Sequence, residues 1–176
     1  MTVKKFVSIN KHTKQLENLV VKIAEAAEEN KKEYFIGGGF AIDLSLGIIS
    51  RNHHDIDFHP MLSDYSWWID WFKNQGYEVR NRQDPMFPET WWIYNSKKEF
   101  LVDMWPFQLD NGILTINHQG KYIDAKRHWN ETRVISYKNT KIRIENPQRV
   151  LEQKTRHVKD SKMYRPIDLH DFKLLG

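Results

Sequence analysis

Ile36-Gly37-Gly38-Gly39-Phe40-Ala41-Ile42-Asp43, followed by Gly47, Arg51, His53 and Asp55-Ile56-Asp57, is the stretch on which the reading of the chain turns. A short apolar segment, Tyr34–Ile36, reads as a buried strand and runs straight into three glycines. The residues after them, 40–46, read as a short helix that Gly47 stops. Glycines between a strand and a helix let backbone N–H groups come close to a phosphate, and the helix N-terminus adds partial positive charge there. The pattern is neither G-x-G-x-x-G nor G-x-x-x-x-G-K-[ST], so taken alone it is equally a tight strand-to-helix turn.

The next strand, 55–59, carries Asp55 and Asp57 two residues apart, so both carboxylates leave the same face while Ile56 and Phe58 face a core. Like charges held side by side cost stability unless something positive sits between them. Oxygen-ligated Mg2+ meets that need, and a pair of such ions roughly 3.5–4 Å apart suits phosphoryl or nucleotidyl transfer. A lone Asp-x-Asp also occurs on solvated strands. Asp103 is a third carboxylate, set in the apolar run Phe100–Trp105, where an unpaired charge is expensive unless it turns outward. Trp105, two residues on, shares its strand face.

Outward from this block, Leu16, Leu19, Val20, Ile23 and Ala27 form one face of a helix over 13–29, with Thr13 as its expected cap. A helix carrying Trp67, Trp68, Trp71 and Phe72 is expected from Ser63 to Gly76. Strand signals cover 77–80, 90–94, 100–105, 113–116, 133–137 and 141–144, with turns at 95–98, 110–112 and 138–139. Asn146-Pro147 and Arg165-Pro166 open two closing helices. The fold class expected is α+β: a mixed or antiparallel β-sheet with helices packed on it. It forms a single domain over 1–176, its helical C-terminal cap at about 146–176.

Composition narrows the chemistry. The chain has 176 residues, 27 Lys+Arg against 23 Asp+Glu for a net charge of +4, and no cysteine. That removes disulfide scaffolds, thiolate zinc sites, iron–sulfur clusters and thiol nucleophiles. No apolar run approaches the ~18 residues of a membrane helix, and Met1–Phe6 lacks a signal-peptide apolar region, so a cytoplasmic protein with no membrane partner is expected. Basic and acidic residues are interleaved, which describes an ordinary solvated surface and leaves nucleic acid the weaker reading of the charge.

The glycine-to-Asp57 block resembles the antibiotic nucleotidyltransferases of the DNA polymerase β-like superfamily, whose pattern is G-G-W-[AG]-[IV]-D followed by R-x-H-x-D-I-D. Phe40 stands where the family has Trp, and His54 occupies the variable position. Leu101–Pro106 is similar to the family's third-carboxylate strand, Asp110-Asn111-Gly112 to the hairpin after it, and Pro166–Asp171 to its closing helix. Length and layout are most like the small lincosamide nucleotidyltransferases.

The resemblance implies a nucleotidyltransferase fold and transfer of a nucleoside monophosphate, AMP from ATP above all, to a hydroxyl of a small molecule such as a lincosamide or aminoglycoside. Gly38 and Gly39 would hold the phosphates, and Asp55 and Asp57 one or two Mg2+. Asp103 would share a metal or act as general base. Arg51 would clamp phosphate, unless it merely pairs with one of the carboxylates, and Lys154 would reach the triphosphate. Trp105 would stand beside the acceptor, and a homodimer is a candidate assembly.

Other readings stay open. The same fold serves protein or tRNA acceptors in toxin–antitoxin systems, and the basic residues between Lys154 and Arg165 suit them. A metal-dependent hydrolase built on His53, His54 and His59 around the aspartates is the third. In the transferase reading His53 orients a carboxylate, His59 lies in an outer layer or is exposed, and Asp43 is either a supporting partner or plain helix polarity.

Overall fold

The computed structural model describes residues 8–161 and 165–175. The chain opens with helix α1 (Lys11–Asn30), which buries Leu16, Leu19, Val20, Ile23 and Ala27, the face its periodicity predicts. Its cap is Asn10, whose side chain accepts from the Thr13 N–H at 2.7 Å. Thr13, expected as the cap, is instead a buried residue of the first turn, and its hydroxyl accepts from the His53 N–H at 2.9 Å.

Strand β1 (Tyr34–Ile36) leads into α2 (Gly38–Ser45), and β2 (Ile56–Pro60) follows. A 3-10 turn, Leu62–Asp64, precedes α3 (Tyr65–Asn74), so the residue at the cap of the tryptophan helix is Asp64, one later than Ser63. Then come β3 (Glu78–Asn81), β4 (Trp91–Tyr94) and β5 (Phe100–Met104). Three more strands, β6 (Gln108–Asp110), β7 (Ile113–His118) and β8 (Lys121–His128), form a separate antiparallel sheet. The chain ends with β9 (Arg133–Tyr137), β10 (Thr140–Ile144), α4 (Pro147–Ser161) and α5 (Pro166–Leu175).

The larger sheet has the order β3-β4-β5-β2-β1-β10-β9. It is mixed: β2 runs parallel to β5 and β1 parallel to β10, and the remaining pairs are antiparallel. The α+β expectation therefore holds. Strands β6 and β8 escape the sequence reading because their signal is absent. β6 has three residues, and Tyr122 and Ile123 of the charged strand β8 are exposed, so no alternation marks a buried face. The Asp110-Asn111-Gly112 and Lys138-Asn139 turns sit where expected, with left-handed φ at Asn111 (49°), Gly112 (81°), Lys138 (47°) and Asn139 (65°).

The core packs α1, α2 and α3 against the sheet through Ile36, Phe40, Ile42, Phe58, Trp68 and Phe72. Removing side chains of this size from water stabilises the fold by about 1.5–3 kcal/mol each. Trp68 is fully buried between Trp67 and Trp71, both at near-perpendicular ring angles. This packing lies against β2 and β5, the neighbouring interior strands that carry Asp57 and Asp103. Among the described residues no helix is long and apolar enough to cross a membrane.

Candidate active site

The glycine turn is held down on β2. The Gly37 N–H donates to the Asp57 carbonyl at 2.8 Å, and Gly38, the first residue of α2, has φ of +58°. A side chain at Gly38 would be strained by that φ and would run into the Asp57 carboxylate. One at Gly39 would meet the Arg51 guanidinium. The turn is thus glycine because the N-terminus of α2 lies against a carboxylate on one side and an arginine on the other.

Asp57 and Asp103 are register partners on the parallel strands β2 and β5. Asp57 is pushed up to about 7, first by burial and then by the charges of Asp55, Asp103 and Glu145. Burial also raises Asp55, in spite of the favourable charges of His54, His53 and Arg51. Asp103 is raised by burial against the opposing pull of Trp105, Arg82 and Trp92. Its Oδ1 is buried without a hydrogen-bond partner among the described residues, while Arg82 Nη1 stands 3.7 Å from its Oδ2. Among the described residues no three His, Asp or Glu groups already stand at ligand spacing. Even so, mutually repelling carboxylates and an orphaned buried oxygen suit a hard divalent cation.

Gly38, Gly39, Arg51, Asp55, Asp57 and Lys154 all line one cleft of about 310 Å3 beneath α4 and α5. Asp103 and Trp105 lie outside that lining, on the neighbouring side of Asp57. There the Arg82 guanidinium lies over the Trp92 and Trp105 rings at 5.3 and 5.2 Å, and Phe87 packs edge-on against Trp105 at 5.0 Å. The arrangement has two sides that meet at Asp57, one glycine-rich and cationic, the other aromatic.

The cleft's cations have partners on α5. Arg51 makes a forked pair with Asp171, Nε to Oδ1 at 2.9 Å and Nη2 to Oδ2 at 3.0 Å. Lys154 Nζ donates to Asp168 at 2.7 Å and lies 3.1 Å from Asp171. Arg165 forks onto Asp168 at 2.8 and 2.9 Å. The alternative raised for Arg51, pairing with a carboxylate, is what the geometry shows, although the carboxylate is Asp171 rather than one of the β2 pair. Burial alone would raise Asp168 and Asp171; hydrogen bonds from these cations outweigh it, taking Asp168 to about 2 and lowering Asp171.

The histidines diverge. His53 is buried, stacks on Phe40 at 4.1 Å, and donates from Nε2 to Asp43 at 2.8 Å. Its Nδ1 accepts from Arg51 Nη1 at 3.2 Å, which leaves His53 neutral, and burial lowers its basicity in the same direction. His59 stacks on Phe35 at 4.4 Å with Nδ1 3.2 Å from the Trp105 carbonyl. A metal centre built on His53, His54 and His59 is therefore not formed. The carboxylate that His53 touches is Asp43, which is fully buried and also accepts from the Ser50 N–H at 2.9 Å. That makes Asp43 a supporting partner rather than helix polarity.

Sequence reasoning gave no role to Arg82, Glu145, Asp168 or Asp171. For the last two a signal existed. Aspartates at i and i+3 share a helix face, and a face that is acidic where the cleft's lysine and arginine must be neutralised marks a docking surface. Arg82, in the irregular segment before β4, carries no such mark.

The sequence profile of the aminoglycoside-2''-adenylyltransferase family matches residues 19–148. The 2''-aminoglycoside nucleotidyltransferases of Escherichia coli and Klebsiella pneumoniae are each 51% identical to the chain over 39 residues. That stretch is 22% of this chain and 22% of each relative, so the match spans about a fifth of their length. Among solved structures, the lincomycin-bound lincosamide antibiotic adenylyltransferase LnuA superposes with a TM-score of 0.72 at 22% identity, over 90% of this chain and 95% of that one. The ANT(2'')-Ia complex with adenylyl-2''-tobramycin gives 0.69 at 20% identity, over 92% and 87%. A nucleotidyltransferase-like chain from Thermotoga maritima gives 0.58 at 12% identity, over 84% and 88%. At these identities the solved structures share the fold.

Proposed function

The chain belongs to the aminoglycoside-2''-adenylyltransferase family, and from that premise we propose that it transfers AMP from Mg2+-bound ATP to a hydroxyl of a small antibiotic. It is a nucleotidyltransferase; the proposal concerns the nucleotide, the metal, the acceptor and the residues that act. The observation that carries it is the meeting of the glycine-opened helix with Asp57 and Asp103, paired in register, raised by burial and mutual repulsion, with one oxygen of Asp103 orphaned.

In this reading Asp55, Asp57 and Asp103 would hold one or two Mg2+, which would supply positive charge beside the triphosphate. The N–H groups of Gly38 and Gly39 receive phosphate oxygens, and Arg51 and Lys154 face the same anion from the side of α4 and α5. The acceptor lies on the aromatic side with Trp105, so that its hydroxyl approaches Asp103. Asp103 takes the hydroxyl proton, the oxygen bonds to the α-phosphorus, and the bond to the bridging oxygen breaks to release pyrophosphate. The catalytic sheet and the helical cap act as one domain, at work in the cytoplasm, where ATP and Mg2+ are supplied.

The test is thermal melting with each nucleoside triphosphate and Mg2+, followed by pyrophosphate release against a panel of lincosamides and aminoglycosides. ATP at 100 times its Kd adds roughly 2.7 kcal/mol of stability, and at least one hydroxylated antibiotic drives pyrophosphate release. If no triphosphate raises the melting temperature, the proposal is wrong.

A further inference from the structure

We propose that Asp171, on α5, is a positioning residue that turns Arg51 and Lys154 into a two-point anion clamp aimed at the N-terminus of α2. The inference rests on the nucleotidyl-transfer reading for the identity of the anion, a polyphosphate, and on donor geometry for the rest.

A guanidinium carries five N–H bonds and an ammonium three. For Arg51, Nε–H and one Nη2–H go to the two oxygens of Asp171, and the Nη1 hydrogens go to the Asn52 carbonyl at 3.1 Å and His53 Nδ1 at 3.2 Å. Among the described residues this leaves one Nη2 hydrogen without an acceptor, on the nitrogen that crowds Gly39. For Lys154, one hydrogen goes to Asp168 and another faces Asp171 Oδ2 at 3.1 Å, which leaves one for the cleft that Lys154 lines. Among the described residues Asp171 is the one carboxylate that touches both cations, and it is fully buried. Each long, flexible side chain is thereby confined to one rotamer with one donor left, so little ordering entropy remains to be lost when an anion binds.

The same helix is tied to α2 by a second route. His170 Nε2 and the Ser50 hydroxyl lie 2.9 Å apart, and Ser50 also donates to Asp43, which receives His53. His53 in turn accepts from Arg51, so the chain of bonds closes on itself around the clamp. α5 is part of the anion site although none of its acidic side chains needs to touch the ligand.

The experiment compares wild type with Asp171→Asn, which keeps size and one acceptor but loses the charge and the fork. Tripolyphosphate and ATP with Mg2+ are titrated into each, KM and kcat are measured with a responsive antibiotic, and the Arg51 Nε–H resonance is followed by NMR. Expected in Asp171→Asn are polyphosphate and ATP binding about tenfold or more weaker, KM for the antibiotic unchanged, and loss of exchange protection at Arg51 Nε–H. Binding of both anions within twofold of wild type in the folded variant overturns the inference, as does an equal rise in KM for both substrates. Should Asp171→Asn not fold, the wild type decides through the Arg51 Nε–H resonance with tripolyphosphate bound. Retained protection supports a fixed clamp, whereas loss means that the anion displaces Asp171 and the clamp is not preset. If wild type binds tripolyphosphate but no nucleoside triphosphate, the transferase reading fails and the inference about Asp171 is still judged on tripolyphosphate alone.

Discussion

Two groups of aspartates in this molecule, one half-buried and one fully buried, meet opposite treatment. Asp55, Asp57 and Asp103 crowd together, Trp105, Arg82 and Trp92 only partly offset the burial of Asp103, and all three carboxylates are driven upward, Asp57 to about 7. Asp168 and Asp171 on α5 are fully buried where the other three keep some exposure, yet Lys154, Arg51 and Arg165 surround them, and both are driven downward, Asp168 to about 2. The residue type is shared and burial pushes both groups upward; the partners decide the outcome. On the proposed function the repelling cluster is where a cation would bind, whereas the cluster paired with Lys154, Arg51 and Arg165 arranges those side chains for another purpose.

The contrast predicts that equivalent changes in the two groups have opposite consequences. The largest effect belongs to Asp57→Asn, where turnover falls by at least about 10³-fold as metal and phosphate charge stabilisation is lost. Stability of the ligand-free protein moves the other way. A carboxylate raised from its ordinary value to about 7 when folded weakens the fold progressively as pH rises from ~4 to ~7, and Asn removes that penalty. Melting at pH 8 is expected to show Asp57→Asn more stable than wild type, by roughly 1–3 kcal/mol.

Asp168→Ala does the reverse. It strands Lys154 and leaves Arg165 without its fork, destabilising the ligand-free protein by roughly 2–4 kcal/mol, readable from urea denaturation. The pH dependence follows the same logic with the opposite sign. Because Asp168 is lowered on folding, its contribution is present above pH ~4 and is lost as pH falls from ~4 toward ~2. An acid-unfolding profile of Asp168→Asn is expected to lack that part of the wild-type decline.

Gly39→Ala sharpens the boundary between the groups. Its methyl group meets the Arg51 guanidinium that Asp171 holds, so ATP affinity is expected to fall about tenfold by calorimetry while the fold survives. The smallest effect is at Arg82→Ala, which frees Asp103 and loosens Trp92 and Trp105. A change of a few-fold in KM for the antibiotic, with KM for ATP unchanged, is expected from the loss of one half-buried stacking cation.

Much of the first group could be read in the sequence. Asp55 and Asp57 are two residues apart on an apolar strand, Asp103 interrupts another, and the glycines announce a turn that must approach something closely. Local spacing carries that information. The second group depends on α4 and α5 docking over α2, with partners 120 residues apart in the case of Arg51 and Asp171; the i, i+3 spacing of Asp168 and Asp171 marks an acidic helix face without naming the cations it meets. For the same reason Arg51 and Lys154 were legible as cleft cations but their engagement with α5 was not. In the fold, the periodic helix α1 and strands β4, β5 and β10 were visible, whereas the three-residue β6 and the exposed, charged β8 lacked a buried face to betray them.

The most direct test of the difference between the two aspartate groups is calorimetric titration of ATP with Mg2+ into wild type and Asp57→Asn, with unfolding checked in parallel. The account predicts saturable binding to wild type and at least about tenfold weaker binding to a variant that melts higher than wild type without ligand. Equal affinity in the two proteins, or a ligand-free Asp57→Asn that melts lower, would contradict it.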